Sequence, residues 1–458
     1  MSAVILTAAE MRAAEAETIA GGTSVETLME RAGRAAAEAI WRFAGPIRAL
    51  VLCGPGNNGG DGYVIACALR EKGVKVRVAS IGEPQSGAAK KARQAWGDSI
   101  ETLAEAGPAP LLIDALFGTG LTRPLDRDLA SRLESLAAGA RVRVAIDLPS
   151  GIASDDGLIL SPVPDFDLTI TFQTLKPSHL LQPAARHMGR LVVADIGISA
   201  CSNLTLIEPP RLRQPGPDDH KYRRGYVAIF GGDLPGAAAL TASAAARAGA
   251  GYVSLASSQT LAGVPSAVVQ GGRSASDLMA DERVGAVVIG PGLGRSDAAR
   301  RLLDQALTCG HPLVLDADAL NLLAERGPAE LPPGTIITPH AGEFARLFPD
   351  LHGSKVEQAR EGADRSNAVI VFKGPDTVVA MPGGRSAIAR PAPHWLASAG
   401  TGDVLTGIIA ALRASGLEPF DAACSAVWLH GEAARLAGEG LIADDLVERL
   451  PFALHAAL

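Results

Sequence analysis

The residues with the greatest chemical capacity stand in short glycine-bearing segments. Gly54-Pro55-Gly56-Asn57-Asn58-Gly59-Gly60-Asp61-Gly62 follows the apolar run Ala49–Cys53 and precedes a helical stretch. Glycines let a backbone turn sharply and approach a ligand closely, and amides exposed at a helix start attract phosphate. The two Asn side chains and the Asp add donors and oxygens suited to a ribose, a carboxamide or a monovalent cation. Two more segments share the pattern. Asp114 closes an apolar run ahead of Gly118-Thr119-Gly120-Leu121-Thr122-Arg123-Pro124, and Asp147 closes another within Ile146-Asp147-Leu148-Pro149-Ser150-Gly151. One such Asp alone is as readily a helix cap or a turn residue. Three such loops along one edge of a parallel sheet are where these folds bind ligands. Lys176, in Leu175-Lys176-Pro177, reads as a solvated loop lysine in preference to an electrostatic assistant.

The second half carries its own set. Ser398-Ala399-Gly400-Thr401-Gly402-Asp403-Val404-Leu405-Thr406-Gly407 leads into an apolar helix. Amides of Gly400 to Gly402 at that helix start form an anion hole. Asp403 is then placed to deprotonate a hydroxyl aimed at a phosphoryl group. Gly231-Gly232-Asp233-Leu234-Pro235-Gly236-Ala237-Ala238, Gly290-Pro291-Gly292-Leu293-Gly294, Asp316-Ala317-Asp318, Thr338-Pro339-His340-Ala341-Gly342-Glu343 and Lys373-Gly374-Pro375-Asp376-Thr377 each follow a strand candidate. His340 alone is more often a structural histidine; at a strand end inside a polar glycine-bearing turn, the structural and ligand roles divide evenly. Lys373 can meet a phosphate; alone it is a surface lysine.

Parallel strands with intervening helices must position these loops. Strand candidates are Ala49–Cys53, Lys75–Ala79, Leu111–Asp114, Val142–Ile146, Asp167–Phe172 and Leu191–Ala194, then Tyr226–Phe230, Tyr252–Ala256, Ala286–Ile289, Leu313–Leu315, Thr335–Thr338 and Ala368–Phe372. Such alternation predicts α/β domains with helices on both sheet faces, and right-handed crossovers bring all strand C-terminal ends to one edge. The four-proline run within 207–221 admits neither a regular helix nor a central strand. It is expected to link a first domain, 1–206, to a second, 222–458. A length of 458 residues suits two or three domains.

Composition narrows the function classes. A net charge of −7 gives no global basic field for nucleic acid. The start of the chain reads as neither signal peptide nor anchor, and no apolar run reaches bilayer length, so no membrane partner is expected. Cys53, Cys67, Cys201, Cys309 and Cys424 form no Cys-x-x-Cys pair. A reducing cytoplasm is the expected compartment. Homo-oligomers are frequent among α/β enzymes.

The three N-terminal loops together resemble the NAD(P)H-hydrate epimerase family over roughly residues 5 to 205. The resemblance implies a Rossmann-like three-layer domain. It implies that Asn57, Asn58, Gly59, Gly60 and Asp61, with Gly118, Thr119, Gly120, Leu121, Thr122, Arg123 and Pro124, hold hydrated cofactor. It implies Asp147 as the acid/base residue and ligand contact, and potassium held by Asn58, Asp114 and Ser150. The C-terminal set resembles the ribokinase-like superfamily, and within it the ATP/ADP-dependent NAD(P)H-hydrate dehydratases, over roughly residues 215 to 455. That implies substrate contacts from Ala237, Gly294, His340 and Asp403, and adenine-nucleotide contacts from Lys373, Gly374, Pro375, Asp376, Thr377 and Gly402. Asp403 would be the general base, with magnesium and ADP required. Gly231–Pro235 departs from the Ser-containing form of that family. The substrates implied are hydrated NADH and NADPH (NADHX and NADPHX), with R and S forms interconverted by the first domain and the S form dehydrated by the second. Two alternatives remain at this level: a vitamin- or sugar-type kinase with an attached binding module, and a first half that is a non-catalytic scaffold. The Thr-Pro-His-x-Gly-Glu and Lys-Gly-x-x-Thr segments and the intact Asp61, Asp114 and Asp147 favour the repair enzyme.

Overall fold

A strand written Ala-Leu-Val-Leu-Cys has no polar face, so both of its faces need cover. In a computed structural model describing residues 4–257, 260–327 and 330–458, this segment is β1 (Ala49–Cys53), buried throughout. Its side chains alternate between two cores. Ala49, Val51 and Cys53 meet the helices Val25–Ala44 and Asn57–Glu71, while Leu50 and Leu52 meet the helix Arg127–Ala138. The result is three layers, helix on sheet on helix.

The chain divides into two compact units, one running to Ser202 and the other from Asn203 to Leu458. The first unit has β2 (Val76–Ser80), β3 (Glu101–Thr102), β4 (Leu111–Ala115), β5 (Val142–Ile146), β6 (Leu168–Phe172) and β7 (Arg190–Ala194). They form one sheet in the order β3-β2-β1-β4-β5-β6-β7, parallel at every pairing. The chain reverses its direction of winding between β1 and β4, which opens a crevice at their carboxyl ends. The loop after β1 is held tightly there: a Cβ on Gly54 would lie 1.8 Å from the Leu116 carbonyl oxygen.

The second unit builds a ten-stranded sheet from β8 (Leu204–Leu206), β9 (Tyr226–Phe230), β10 (Tyr252–Ala256), β11 (Val268–Gln270), β12 (Ala286–Ile289), β13 (Leu313–Leu315), β14 (Ile336–Ile337), β15 (Val369–Phe372), β16 (Val378–Ala380) and β17 (Ser386–Ile388). Their order is β11-β10-β9-β12-β13-β14-β15-β16-β17-β8. The pairings are parallel except around β16, which is antiparallel to β15 and β17. Here the switch point lies between β9 and β12, and the loops after them approach: Leu234 N donates to Gly292 O at 2.9 Å. Among the described residues, no helix is long and apolar enough to cross a membrane.

The expected linker is a correction. β8 precedes it and pairs with β17, Ile207 is buried in the second core, and Leu212 N donates to Ala457 O at 2.9 Å. Prolines exclude helix and central strand, but an extended segment can cross a core surface without being either. The segment 207–221 therefore belongs to the second unit, and the division falls after Ser202.

The helix Thr401–Ala414 presses closely on the helix Pro235–Arg247 at Gly407, where a Cβ would stand 2.2 Å from Thr241 O and 2.9 Å from Ala244 Cβ. Gly407→Val should therefore destabilise the second unit by ~1–3 kcal/mol or more through overpacking. Urea unfolding checks this; an unchanged midpoint would show that the helices can part freely.

Candidate active sites

In the first unit, the carboxyl-end crevice is a cleft of about 420 Å³ lined by Asn57, Asn58, Asp61, Gly118, Thr119, Gly120, Leu121, Asp147 and Lys176, with Met11, Arg12 and Glu15 from the helix Ala8–Ala20. The helix Asn57–Glu71 opens on Gly56 with no side-chain cap, which leaves its first amides for a ligand. Gly59 and Gly60 are buried in packing and do not line the cleft, and Thr122, Arg123 and Pro124 stand exposed outside it. Met11, Arg12 and Glu15 carried no glycine-loop or strand-end signal.

Asp147 directly follows β5 in the left-handed region, with φ +63°. Its Oδ1 accepts from Lys176 Nζ at 2.8 Å and Thr171 Oγ1 at 3.0 Å, and its Oδ2 accepts from Thr119 N at 3.0 Å. Lys176 is thus not the solvated lysine expected. Its side chain is 1% exposed, and its ammonium also donates to Thr171 Oγ1 at 2.8 Å and Phe172 O at 3.2 Å. Burial pushes the Asp147 pKa up, but the Lys176 charge and hydrogen bond outweigh it and hold the carboxyl below its ordinary value. His179 accepts from Lys176 N at Nδ1, 2.8 Å, so its Nε2–H donates to Asp147 O at 2.7 Å. Burial and then Lys176 lower its pKa to about 4, so the ring is neutral. Asp61 and Glu15 shift the opposite way. Burial and the charge of Asp147 raise both.

Below the cleft, Asp114 is fully buried. It accepts from Ser150 N at 2.9 Å, Ser150 Oγ at 2.8 Å and Leu116 N at 3.1 Å. Burial still raises its pKa against those bonds, and no lysine or arginine offsets it. The Asn58 amide nitrogen is buried without a partner. Among the described residues, no cluster of three or more His, Cys, Asp or Glu side chains is arranged for a metal.

In the second unit, a cavity of about 400 Å³ is lined by Lys373, Gly374, Pro375, Thr377 and Gly402, together with Thr401, His394, Trp428, His430 and Arg435. Asp376 does not line it; its carboxylate pairs with Lys355 Nζ at 2.6 Å. Asp316 is the hub beside the cavity. It is 1% exposed. Its Oδ1 accepts from Lys373 Nζ at 2.7 Å and Ala317 N at 2.9 Å, and its Oδ2 from Thr406 Oγ1 at 2.7 Å. Lys373 is therefore no surface lysine. Burial opposes its charge, yet Asp316 raises its pKa.

Asp403 sits in the first turn of the helix Thr401–Ala414, whose Gly400 N-cap (φ +85°) makes no side-chain bond. Burial first, then Asp316, pushes its carboxyl up to about 6, against the pull of Lys373. Thr241 Oγ1 stands 3.0 Å from Ala237 O and 3.1 Å from Asp403 O, so two expected substrate contacts share one bridge. Gly294 N donates to Asp318 Oδ2 at 2.9 Å. His340 caps the helix Ala341–Leu347, accepting from Gly342 N at 2.9 Å, with its ring more than half exposed. Ala237, Gly294, His340 and Asp403 do not line the 400 Å³ cavity. The roles of Asp316 and Thr406 are visible only once the fold is closed.

Residues 25–178 match the family model described as YjeF-related protein N-terminus, and residues 227–450 that described as NAD(P)H-hydrate dehydratase. The bifunctional NAD(P)H-hydrate repair enzyme Nnr of Salinibacter ruber is 35% identical over 98% of this chain and 95% of its own length. That of Escherichia coli is 35% identical over 95% and 90%. Among solved structures, the ADP/ATP-dependent NAD(P)H-hydrate dehydratase of Bacillus subtilis, co-crystallised with ATP/Mg2+, is 30% identical with a TM-score of 0.48, covering 54% of this chain and 95% of that one.

Lys176→Met strips the Asp147 carboxylate of its buried counter-charge. The first unit should lose roughly 3–5 kcal/mol at neutral pH. In the parent, the depressed Asp147 pKa contributes stability above the unfolded carboxyl pKa and loses it as pH falls through the folded value. That acid-side loss should vanish in the variant, whose Asp147 carboxyl titrates higher. Urea unfolding against pH and carboxyl NMR check both; an Asp147 titration unmoved by the substitution would contradict the pairing.

Proposed function

The chain belongs to the family of bifunctional NAD(P)H-hydrate repair enzymes, and we propose that its two units divide the repair between Asp147 and Asp403. The first unit interconverts the R and S forms of NADHX and NADPHX. The second dehydrates the S form, consuming ADP and giving AMP and phosphate, and so regenerates NADH and NADPH. The observation that carries this reading is the opposite tuning of two carboxyls, Asp147 at the end of β5 and Asp403 in the first turn of the helix Thr401–Ala414. Asp147 is held ionised, and Asp403 is raised to about 6.

Epimerisation at a ring carbon proceeds by loss and return of its hydroxyl. Asp147, anchored by Lys176, Thr171 and the Thr119 amide, handles a proton there. Asn57, Asn58, Asp61 and the Gly118–Leu121 loop hold the dinucleotide. The oxygens of Asn58, Asp114 and Ser150 fit one monovalent cation: a single buried carboxylate without a cationic partner, joined by neutral oxygen donors. Potassium bound there supplies the charge that balances Asp114.

Dehydration needs a better leaving group than hydroxide. Phosphorylation of the ring hydroxyl supplies one, since phosphate then departs. Asp403, with a pKa near working pH, takes the hydroxyl proton. The Gly400–Gly402 amides receive the transferred phosphoryl oxygens, and Lys373 reaches the nucleotide phosphates along the cavity wall with Gly374, Pro375 and Thr377. Asp376 positions that loop through Lys355. Magnesium, carried in with the nucleotide, neutralises transferred charge. Substrate contacts fall to Ala237, Gly294, His340 and Asp403. The cytoplasm, where these dinucleotides turn over, is the compartment assigned.

The test supplies the purified protein with an epimeric NADHX mixture, ADP, magnesium and potassium, and follows reduced-nicotinamide absorbance. The parent should recover it completely. Asp403→Ala should slow recovery by about 10²–10⁴-fold, and Asp147→Ala should leave the R epimer behind beyond its slow spontaneous conversion. No recovery with ADP or ATP would sink the repair reading in favour of a small-molecule kinase.

A further inference from the structure

Epimerisation makes a demand that Asp147 alone does not meet. The hydroxyl leaves one face of the ring and returns on the other, so a proton must be given where it departs and another taken where water attacks. Asp147 is fastened by three hydrogen bonds, one of them from the Lys176 ammonium, so one fixed carboxylate would have to serve both faces. A second carboxyl lines the same cleft from another element. Glu15, on the helix Ala8–Ala20, is half-buried there beside Arg12. Among the described residues its carboxyl shows neither a hydrogen bond nor an ion pair within the protein.

We propose that Glu15 is a second proton-transferring residue of the epimerase cleft, giving the proton that releases the ring hydroxyl while Asp147 takes the proton of the water that replaces it. The inference rests on the epimerase reading of the first unit. The step balances. The ring-nitrogen lone pair forms a C=N bond, the C–O bond breaks onto oxygen, and that oxygen takes the Glu15 proton and leaves as water. A second water loses a proton to Asp147 and forms the new C–O bond on the other face, and the C=N pair returns to nitrogen. One proton has moved from Glu15 to Asp147, and exchange with solvent restores both.

The surroundings suit these assignments. Glu15 faces Arg12 on its own helix, Asp61 from the helix Asn57–Glu71, Asp147 from the end of β5 and Lys176 from beyond β6. Burial and the negative charge of Asp147 favour its protonated form; Lys176 and Arg12 oppose this and are outweighed. Asp147 lies the other way, ionised against Lys176. Neighbouring carboxyls with proton affinities driven apart divide into an acid and a base.

The experiment supplies R-NADHX without nucleotide, so that the dehydratase is silent, and follows the S form by chromatography in ¹⁸O-labelled water. The parent should place ¹⁸O at the ring hydroxyl as it epimerises. Glu15→Gln should lower kcat by about 100-fold with KM little changed, and Glu15→Asp should restore part of it. The same Glu15→Gln protein, given S-NADHX and ADP, should dehydrate at the parental rate, which shows the second unit intact, and the urea midpoint of its first unit should match the parent's, which shows that unit folded. Parental epimerisation by Glu15→Gln, or a raised KM with kcat intact, overturns the proposal and leaves the epimerase reading standing. A parent that leaves R-NADHX at its spontaneous rate overturns both.

Discussion

In each unit a lysine ammonium is drawn out of water to meet an aspartate at the strand ends, Lys176 to Asp147 at 2.8 Å and Lys373 to Asp316 at 2.7 Å. Removing both charges from water costs several kcal/mol per ion, and that cost is offset only where the remaining donors and acceptors are matched. Here they are. Lys176 also donates to Thr171 and to Phe172 O. Asp316 also accepts from Ala317 N and Thr406. A pair that tolerates so little mismatch fixes the loops that contribute to it, and those loops carry the rest of each site.

The same pairs set the proton chemistry. Lys176 sits directly on Asp147 and holds it ionised despite burial. In the second unit Lys373 spends its charge on Asp316, one step away from Asp403. Asp403 then feels burial and the negative charge of Asp316 more than the lysine, and rises to about 6. Moving the lysine from the reacting carboxylate to its neighbour converts a firmly ionised group into one poised near neutrality. Two similar pieces of wiring thus yield two different acids.

Much of this was legible in the sequence, and the exceptions share a cause. Unbroken apolar runs such as Ala49–Cys53 and Tyr226–Phe230 announced central parallel strands, and the glycine loops after them announced the crevices. Lys176 was misread because burial of a loop lysine depends on the short helix Pro177–His179 and the neighbouring carboxylate, which no local pattern reports. Glu15 was missed for a related reason: its helix reaches the cleft by tertiary packing. Segment 207–221 was misplaced because proline excludes regular structure without saying which core an extended chain lies on. β16 and β17, three residues each, are too short for periodicity to register.

Backbone strain marks the same positions. Asp147 and Ala317 are non-glycine residues with φ of +63° and +47°, each at a turn directly beyond a strand. Such conformations cost on the order of 1–3 kcal/mol each and persist where their surroundings over-determine them. Glycine would relieve the strain at 147, but it would remove the carboxylate and leave the Lys176 ammonium buried without a counter-ion. At 317 the left-handed turn brings the Ala317 amide onto Asp316 Oδ1 at 2.9 Å, completing the shell that lets Asp316 accept Lys373. At these two positions the strain is therefore held in place by the buried charges, whereas Asn367, also at positive φ, only ends the helix Lys355–Ser366.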